Sequence, residues 1–142
     1  MVALRDGDRP VGFTATSVIS VSADPALLTF SVAESSSSWP ALARTSSLTI
    51  GFLAAEQVDV SARFATSGID RFAGVGWRWL PTGEPVLDDV PAWICGDVVE
   101  RFTVGASRLV VVYARQASQT RGRAPLVYHD RAYHSLDDGS AL

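Results

Sequence analysis

The stretch Val11-Gly12-Phe13-Thr14-Ala15-Thr16-Ser17-Val18-Ile19-Ser20-Val21-Ser22 decides the fold class. It mixes β-branched residues, an aromatic and small polar groups at an approximate period of two, then stops at Asp24-Pro25. Successive strand side chains point to opposite faces, so this pattern reads as a half-buried β-strand bounded by a turn. Working outward, residues 27–32 and 48–53 are short apolar runs between Ser-rich or Pro-containing segments. Residues 92–104 and 108–119 are longer strand candidates, and Gly105-Ala106-Ser107 between them has the composition of a hairpin turn. Residues 126–129 and 133–136 would close the sheet, with Asp130-Arg131 at the bend.

Two helices interrupt the β pattern. Ser38-Trp39-Pro40-Ala41-Leu42-Ala43-Arg44 starts with a capping serine and a proline in the first turn, where a missing N–H costs little. Residues 54–65 place Val58, Ala62 and Ala65 on one helical face before Thr66-Ser67-Gly68 ends the run. Residues 77–91, with three prolines and a glycine, read as an irregular excursion. No repeat or long linker divides the chain, so one domain over residues 1–142 is expected. Many short strands with two short helices imply a mainly β, closed or nearly closed antiparallel barrel, because closure removes exposed edges.

Composition narrows the function classes. The 142 residues are 47% hydrophobic and 19% charged, outside the range of disordered chains. No apolar stretch approaches the roughly 20 residues that span a bilayer, and the start has no basic-then-apolar leader. The charge of −3 is scattered, which argues against a nucleic-acid partner, as the run lengths argue against a membrane. Cys95 stands alone, so no intramolecular disulfide or thiolate cage can form, and a reducing cytoplasm is expected. All 12 basic residues are arginine.

Three groups could carry chemistry. Gly12-Phe13-Thr14-Ala15-Thr16-Ser17 combines small and hydroxyl-bearing side chains that would let a flat ligand approach the backbone; the same residues also suit a solvent-facing strand. Glu34-Ser35-Ser36-Ser37-Ser38 leads into the first helix, where hydroxyls and free N–H groups suit a phosphate as well as a simple cap. Tyr128, His129, Tyr133 and His134 form the third group, whose two histidines lack the acidic or thiol partners of a metal site and read as exposed strand histidines. Cys95, in a strand, reads as an inert buried thiol. The motifs of serine hydrolases, phosphate-loop enzymes and dinucleotide-binding folds are missing from the sequence.

In order along the chain, Gly7-Asp8-Arg9-Pro10-Val11-Gly12-Phe13-Thr14-Ala15-Thr16-Ser17, Ser20-Val21-Ser22-Ala23-Asp24-Pro25, the Ser-rich turn with Trp39, and Asp59-Val60-Ser61-Ala62-Arg63-Phe64-Ala65 make an ordered set. Asp70-Arg71-Phe72-Ala73-Gly74-Val75 and Pro125-Leu126-Val127-Tyr128-His129 extend it. The set resembles the flavin reductase-like domain family, the reductase components of two-component flavin monooxygenases. That resemblance implies an antiparallel split β-barrel that binds FMN, with FAD as an alternative, and works as a homodimer. It implies that Phe13, Thr14, Ala15, Thr16 and Ser17 line the isoalloxazine and ribityl chain, with Ser20 and Ser22 at its polar end. By the same resemblance Ser35, Ser36, Ser37, Ser38 and Trp39 hold the phosphate, Arg63 approaches it from the second helix, and NADH or NADPH reduces a flavin that passes to a partner oxygenase.

Three departures stand out. The hairpin turn Gly105-Ala106-Ser107 replaces the family's Gly-Asp-His, so Ser107 occupies the nicotinamide-side position without an imidazole. Gly51 stands where the family usually has Asn. Of the helix and first strand with which family chains usually begin, only Met1 to Arg5 remain, so the N-terminal helix and part of the first strand are expected to be lacking. These departures leave a second reading, a dimer that holds FMN, haem or a deazaflavin without fast hydride transfer.

Overall fold

The computed structural model describes residues 1–136. In chain order the elements are β1 (Val2–Asp6), β2 (Arg9–Phe13), β3 (Val18–Ser22), β4 (Leu27–Ala33), α1 (Trp39–Leu42), β5 (Ser47–Phe52) and α2 (Val58–Ala65). They continue with β6 (Trp77–Trp79), β7 (Pro85–Leu87), β8 (Ala92–Val104), β9 (Ser107–Gln119), β10 (Leu126–His129) and β11 (Ala132–Ser135). Seven strands form one antiparallel sheet in the order β2-β1-β5-β8-β9-β4-β3.

The strand order dictates curvature. β2 and β3 are the two edges of this sheet, yet only residues 14–17 connect them. Laid flat, six inter-strand steps of about 4.8 Å would separate the edges by about 29 Å. The five peptide steps from Phe13 to Val18 reach about 17 Å at most. The sheet therefore curls until its edges meet, and residues 14–17 lie along the seam. The expected single strand over residues 11–22 is thus two strands on opposite borders.

The barrel interior is filled by Val2, Leu4, Phe13, Leu28, Phe30, Val32, Leu48, Ile50, Val110 and Val112, joined by Ala41 and Leu42 of α1. Phe13 is only 6% exposed, and its ring meets Phe30 with centroids 6.0 Å apart. A second cluster joins Met1, Ala3, Leu53, Phe64, Phe72 and Leu87 outside the sheet. There Phe64 packs edge-on to Phe72 (4.9 Å), and Phe72 edge-on to Trp77 (5.5 Å).

Val2–Asp6 form β1, which pairs with both β2 and β5. Three local expectations change. Residues 77–91 contain the β6–β7 hairpin: Pro81 lies in its turn, Pro85 opens β7 opposite Trp79, and Pro91 follows it. β10 and β11 pair with each other rather than closing the sheet; Leu126 N–H donates to the Leu53 carbonyl at 2.9 Å to anchor them. α2 buries Ser61 and Phe64, while Val58, Ala62 and Ala65 lie on its more exposed side. The large aromatic ring outweighs small aliphatic groups in choosing the buried face.

Candidate functional site

Two hollows flank the point where β2 meets α2. At that point Thr14 N–H donates to the Phe64 carbonyl (3.2 Å) and Thr14 Oγ1 donates to the Ser61 carbonyl (2.6 Å). Gly12 makes the approach feasible: a Cβ there would lie 2.8 Å from Phe64 Cε1 and 3.0 Å from the Val2 carbonyl oxygen.

The first hollow, about 390 Å³, opens at the barrel seam. Thr14, Ala15 and Thr16 form one side, residues 50–53 of β5 and its end form the floor, and Ser61, Tyr128 and Tyr133 stand on the remaining side. A Cβ on Gly51 would meet nothing closer than 3.7 Å, so the glycine leaves room rather than avoiding a clash. Thr14 has already committed its hydroxyl proton to Ser61, which leaves its oxygen free to accept. Small residues facing two phenols give a slot suited to a flat heteroaromatic ring.

The second hollow, about 540 Å³, is electropositive. It is bordered by Arg9, Gly12, Ser37, Ser38, Asp70, Arg71 and Trp77, among others. Arg71 is its organising residue. Its Nη1 donates to the Gly12 carbonyl (2.7 Å) and Ser38 Oγ (3.1 Å), and its Nε donates to the Thr66 carbonyl (2.8 Å). One guanidinium thus ties β2, the Ser-rich turn and the end of α2 together. Burial lowers the Arg71 pKa from its ordinary value. Asp70 directs Oδ1 at the Phe72 and Ala73 N–H groups, 3.1 and 3.3 Å away. Hydroxyls beside two guanidinium forks form a set of donors suited to phosphate oxygens.

The structure distributes the residues singled out from sequence as follows. Thr14, Ala15 and Thr16 share the seam hollow, whereas Ser37 and Ser38 share the electropositive one. Ser38 is 2% exposed, and its oxygen accepts from Arg71 instead of capping α1. Phe13 points into the barrel core. Trp39 packs against that core with the Arg108 guanidinium 5.5 Å from its ring centre. Arg63 borders neither hollow, and its Nε and Nη2 donate to the Arg71 and Asp70 carbonyls at 2.9 and 2.8 Å. Ser17, Ser20, Ser22, Ser35 and Ser36 border neither hollow. Ser107 starts β9 opposite Ala33; the neighbouring Ala106 carbonyl accepts the Glu34 N–H at 2.9 Å, so this turn abuts the start of the Ser-rich segment.

Arg9, Ser61 and Arg71 border the hollows with no site role in the sequence reading, whereas Tyr128 and Tyr133, grouped there only with the histidines, and Gly51, noted only as a departure, border the seam hollow. Arg71 and Tyr128 lie inside the quoted motifs and Tyr133 beyond them, but the contacts of Arg71 and Tyr133 are set by packing across 59 and 72 residues of chain. Among the described residues, no group of three or more His, Cys, Asp or Glu side chains could hold a metal ion. Likewise, no helix is long and apolar enough to cross a membrane.

Comparison with known proteins agrees with this architecture. The family model described as "Flavin reductase like domain" matches residues 1–137. The chain is 42% identical over 140 residues to an NADH:FMN oxidoreductase of Rhodococcus erythropolis, covering 94% of this chain and 72% of that one. It is 30% identical over 137 residues to HsaB, the reductase subunit of a flavin-dependent monooxygenase of Rhodococcus jostii, covering 96% and 70%. A flavin reductase domain protein from Arthrobacter superposes with a TM-score of 0.90 at 36% identity, over 96% of this chain and 85% of that one. A seam hollow on a seven-stranded split barrel, matched by family, relatives and fold alike, places this chain in the flavin reductase like domain family.

Proposed function

We propose that this protein is an NAD(P)H-dependent flavin reductase that reduces FMN and delivers it to a partner oxygenase. The observation that carries this reading is the seam hollow of about 390 Å³, bordered by Thr14, Ala15 and Thr16 together with Tyr128 and Tyr133. The residues present fit the cofactor: the slot for the ring, and Ser37, Ser38, Arg9 and Arg71 for an anionic tail. Bound flavin supplies the hydride chemistry, and the protein supplies placement and charge. Thr14 presents an acceptor oxygen and backbone beside the slot, which residues 50–53 also border. Arg71 borders the tail-side hollow, which Arg63 does not, and so takes the role expected of Arg63.

We also propose that two copies associate through the outer face of β3, β4, β9 and β8. Register places Ile19, Tyr113, Phe102 and Val104 on the side opposite the core residues Phe30, Val110 and Val112. These four side chains are 60%, 41%, 51% and 52% exposed, a contiguous apolar surface of the kind that marks an interface. The single free thiol, Cys95, supports placement in a reducing cytoplasm.

The decisive assay follows loss of NADH or NADPH with increasing FMN. The expected rate saturates in both reactants and far exceeds that of nucleotide mixed with free FMN. A rate equal to that background would overturn the assignment.

A further inference from the structure

We infer that the β10–β11 hairpin is the aromatic wall of the ring slot, latched by the Tyr133–Ser61 hydrogen bond, and that it sets affinity for the flavin ring independently of the phosphate tail. The inference rests on the flavin reading given above.

Tyr128 and Tyr133 are direct cross-strand partners, and both border the seam hollow. Their ring centroids are 5.1 Å apart at an interplanar angle of 59°. Tyr128 remains 49% exposed, so a large aromatic surface is available at the slot. A heterocycle placed there gains offset or tilted contact with phenol rings.

The hairpin lies outside the main sheet and is fastened at two places. Its root is tied by the Leu126–Leu53 hydrogen bond and by Ala55 N–H donating to the Ala124 carbonyl at 2.8 Å. Away from the root, Tyr133 Oη donates to Ser61 Oγ at 3.2 Å. Ser61 is 4% exposed, and its carbonyl accepts the Thr14 hydroxyl from the opposite side of the slot. Both walls are therefore fixed to one buried serine: the seam side through its carbonyl, the hairpin side through its hydroxyl. The width of the slot depends on that residue.

The test titrates FMN and lumiflavin, the ring without ribityl phosphate, into wild type, Ser61→Ala, Tyr133→Phe, the double variant and Tyr128→Leu. Losing one neutral hydrogen bond should raise the Kd by roughly 2- to 12-fold. The same factor is expected for FMN and for lumiflavin, since only the ring meets the wall. The double variant should be no weaker than either single one, because both changes break the same bond. Tyr128→Leu should weaken both ligands and remove the shift of the bound flavin absorption band. Ser38→Ala should weaken FMN alone.

Additive losses in the double variant would overturn the latch. Losses confined to FMN, or an unchanged Kd and spectrum for Tyr128→Leu, would overturn the wall. Wild type that binds neither ligand would instead remove the flavin reading itself, and this inference with it. Tyr133→Phe keeps the ring and its packing, so the latch is tested even where a smaller residue fails to fold.

Discussion

At the scale of single residues, Glu84 is the clearest case of a buried charge made tolerable by partners. It is 2% exposed, accepts from Arg115 Nη2 at 2.8 Å, and also accepts the Thr82 hydroxyl. Burial alone would raise its pKa, but hydrogen bonds from Ser47, Thr82, backbone N–H and Cys95 outweigh burial and hold it at about 2. Unfolded, the carboxyl titrates near 4.5, so its contribution is complete above that pH and is lost as pH falls toward 2. Glu84→Gln should therefore lower the melting temperature at neutral pH and flatten the fall in stability between pH 4.5 and 2, read by thermal unfolding across that range. Burial, reinforced by the Glu84 carboxylate, pushes the neighbouring Cys95 thiol up to about 11. Native protein should accordingly resist thiol reagents at neutral pH, and unfolding in denaturant should release one reactive group. Gly12 makes a steric prediction. With Phe64 and the Val2 carbonyl both at or inside 3.0 Å of a new methyl, Gly12→Ala should cost about 1–3 kcal/mol in denaturant unfolding.

At the scale of elements, the long β8–β9 hairpin and the short runs of β4 and β5 were readable because alternation and turn chemistry are local signals. What misled was any break decided by distant packing. Residues 11–22 alternate throughout, yet Thr14 leaves the strand because its N–H and hydroxyl find Phe64 and Ser61 on α2. Phe13 looked available to a ligand, but it completes the barrel core beside Phe30. The proline-rich 77–91 segment forms a hairpin because Pro81 falls in its turn and Pro85 at the first residue of β7, where a strand tolerates proline. The β10–β11 turn was legible as a bend but not in its strain: Asp130 and Arg131 have φ of 49° and 62°. Two such residues match the tight turn whose twist suits a hairpin, where Asp is tolerated and Arg is not favoured. Relief of about 1–2 kcal/mol at Arg131, less about 0.4–1 for the greater freedom of glycine when unfolded, leaves Arg131→Gly stabilising by about 0.5–1 kcal/mol. Slower amide exchange across β10 and β11 is the expected signature.

At the scale of the whole molecule, a sheet that curls edge to edge presents its outer surface to whatever surrounds it, and on β3, β9 and β8 that surface is apolar. Phe102→Asp combined with Ile19→Asp should convert the proposed dimer into monomer, as read by light scattering of eluting protein. An unchanged mass would place the contact elsewhere. The seam has a practical consequence for redesign. Of the four residues that button the two borders together, Thr14, Ala15 and Thr16 also form one bank of the ring slot, so altering them to admit a different heterocycle risks unfastening the barrel. The opposite bank hangs on its own small ribbon. Directed evolution of cofactor choice should therefore yield more folded variants from positions 126–133 than from positions 14–17.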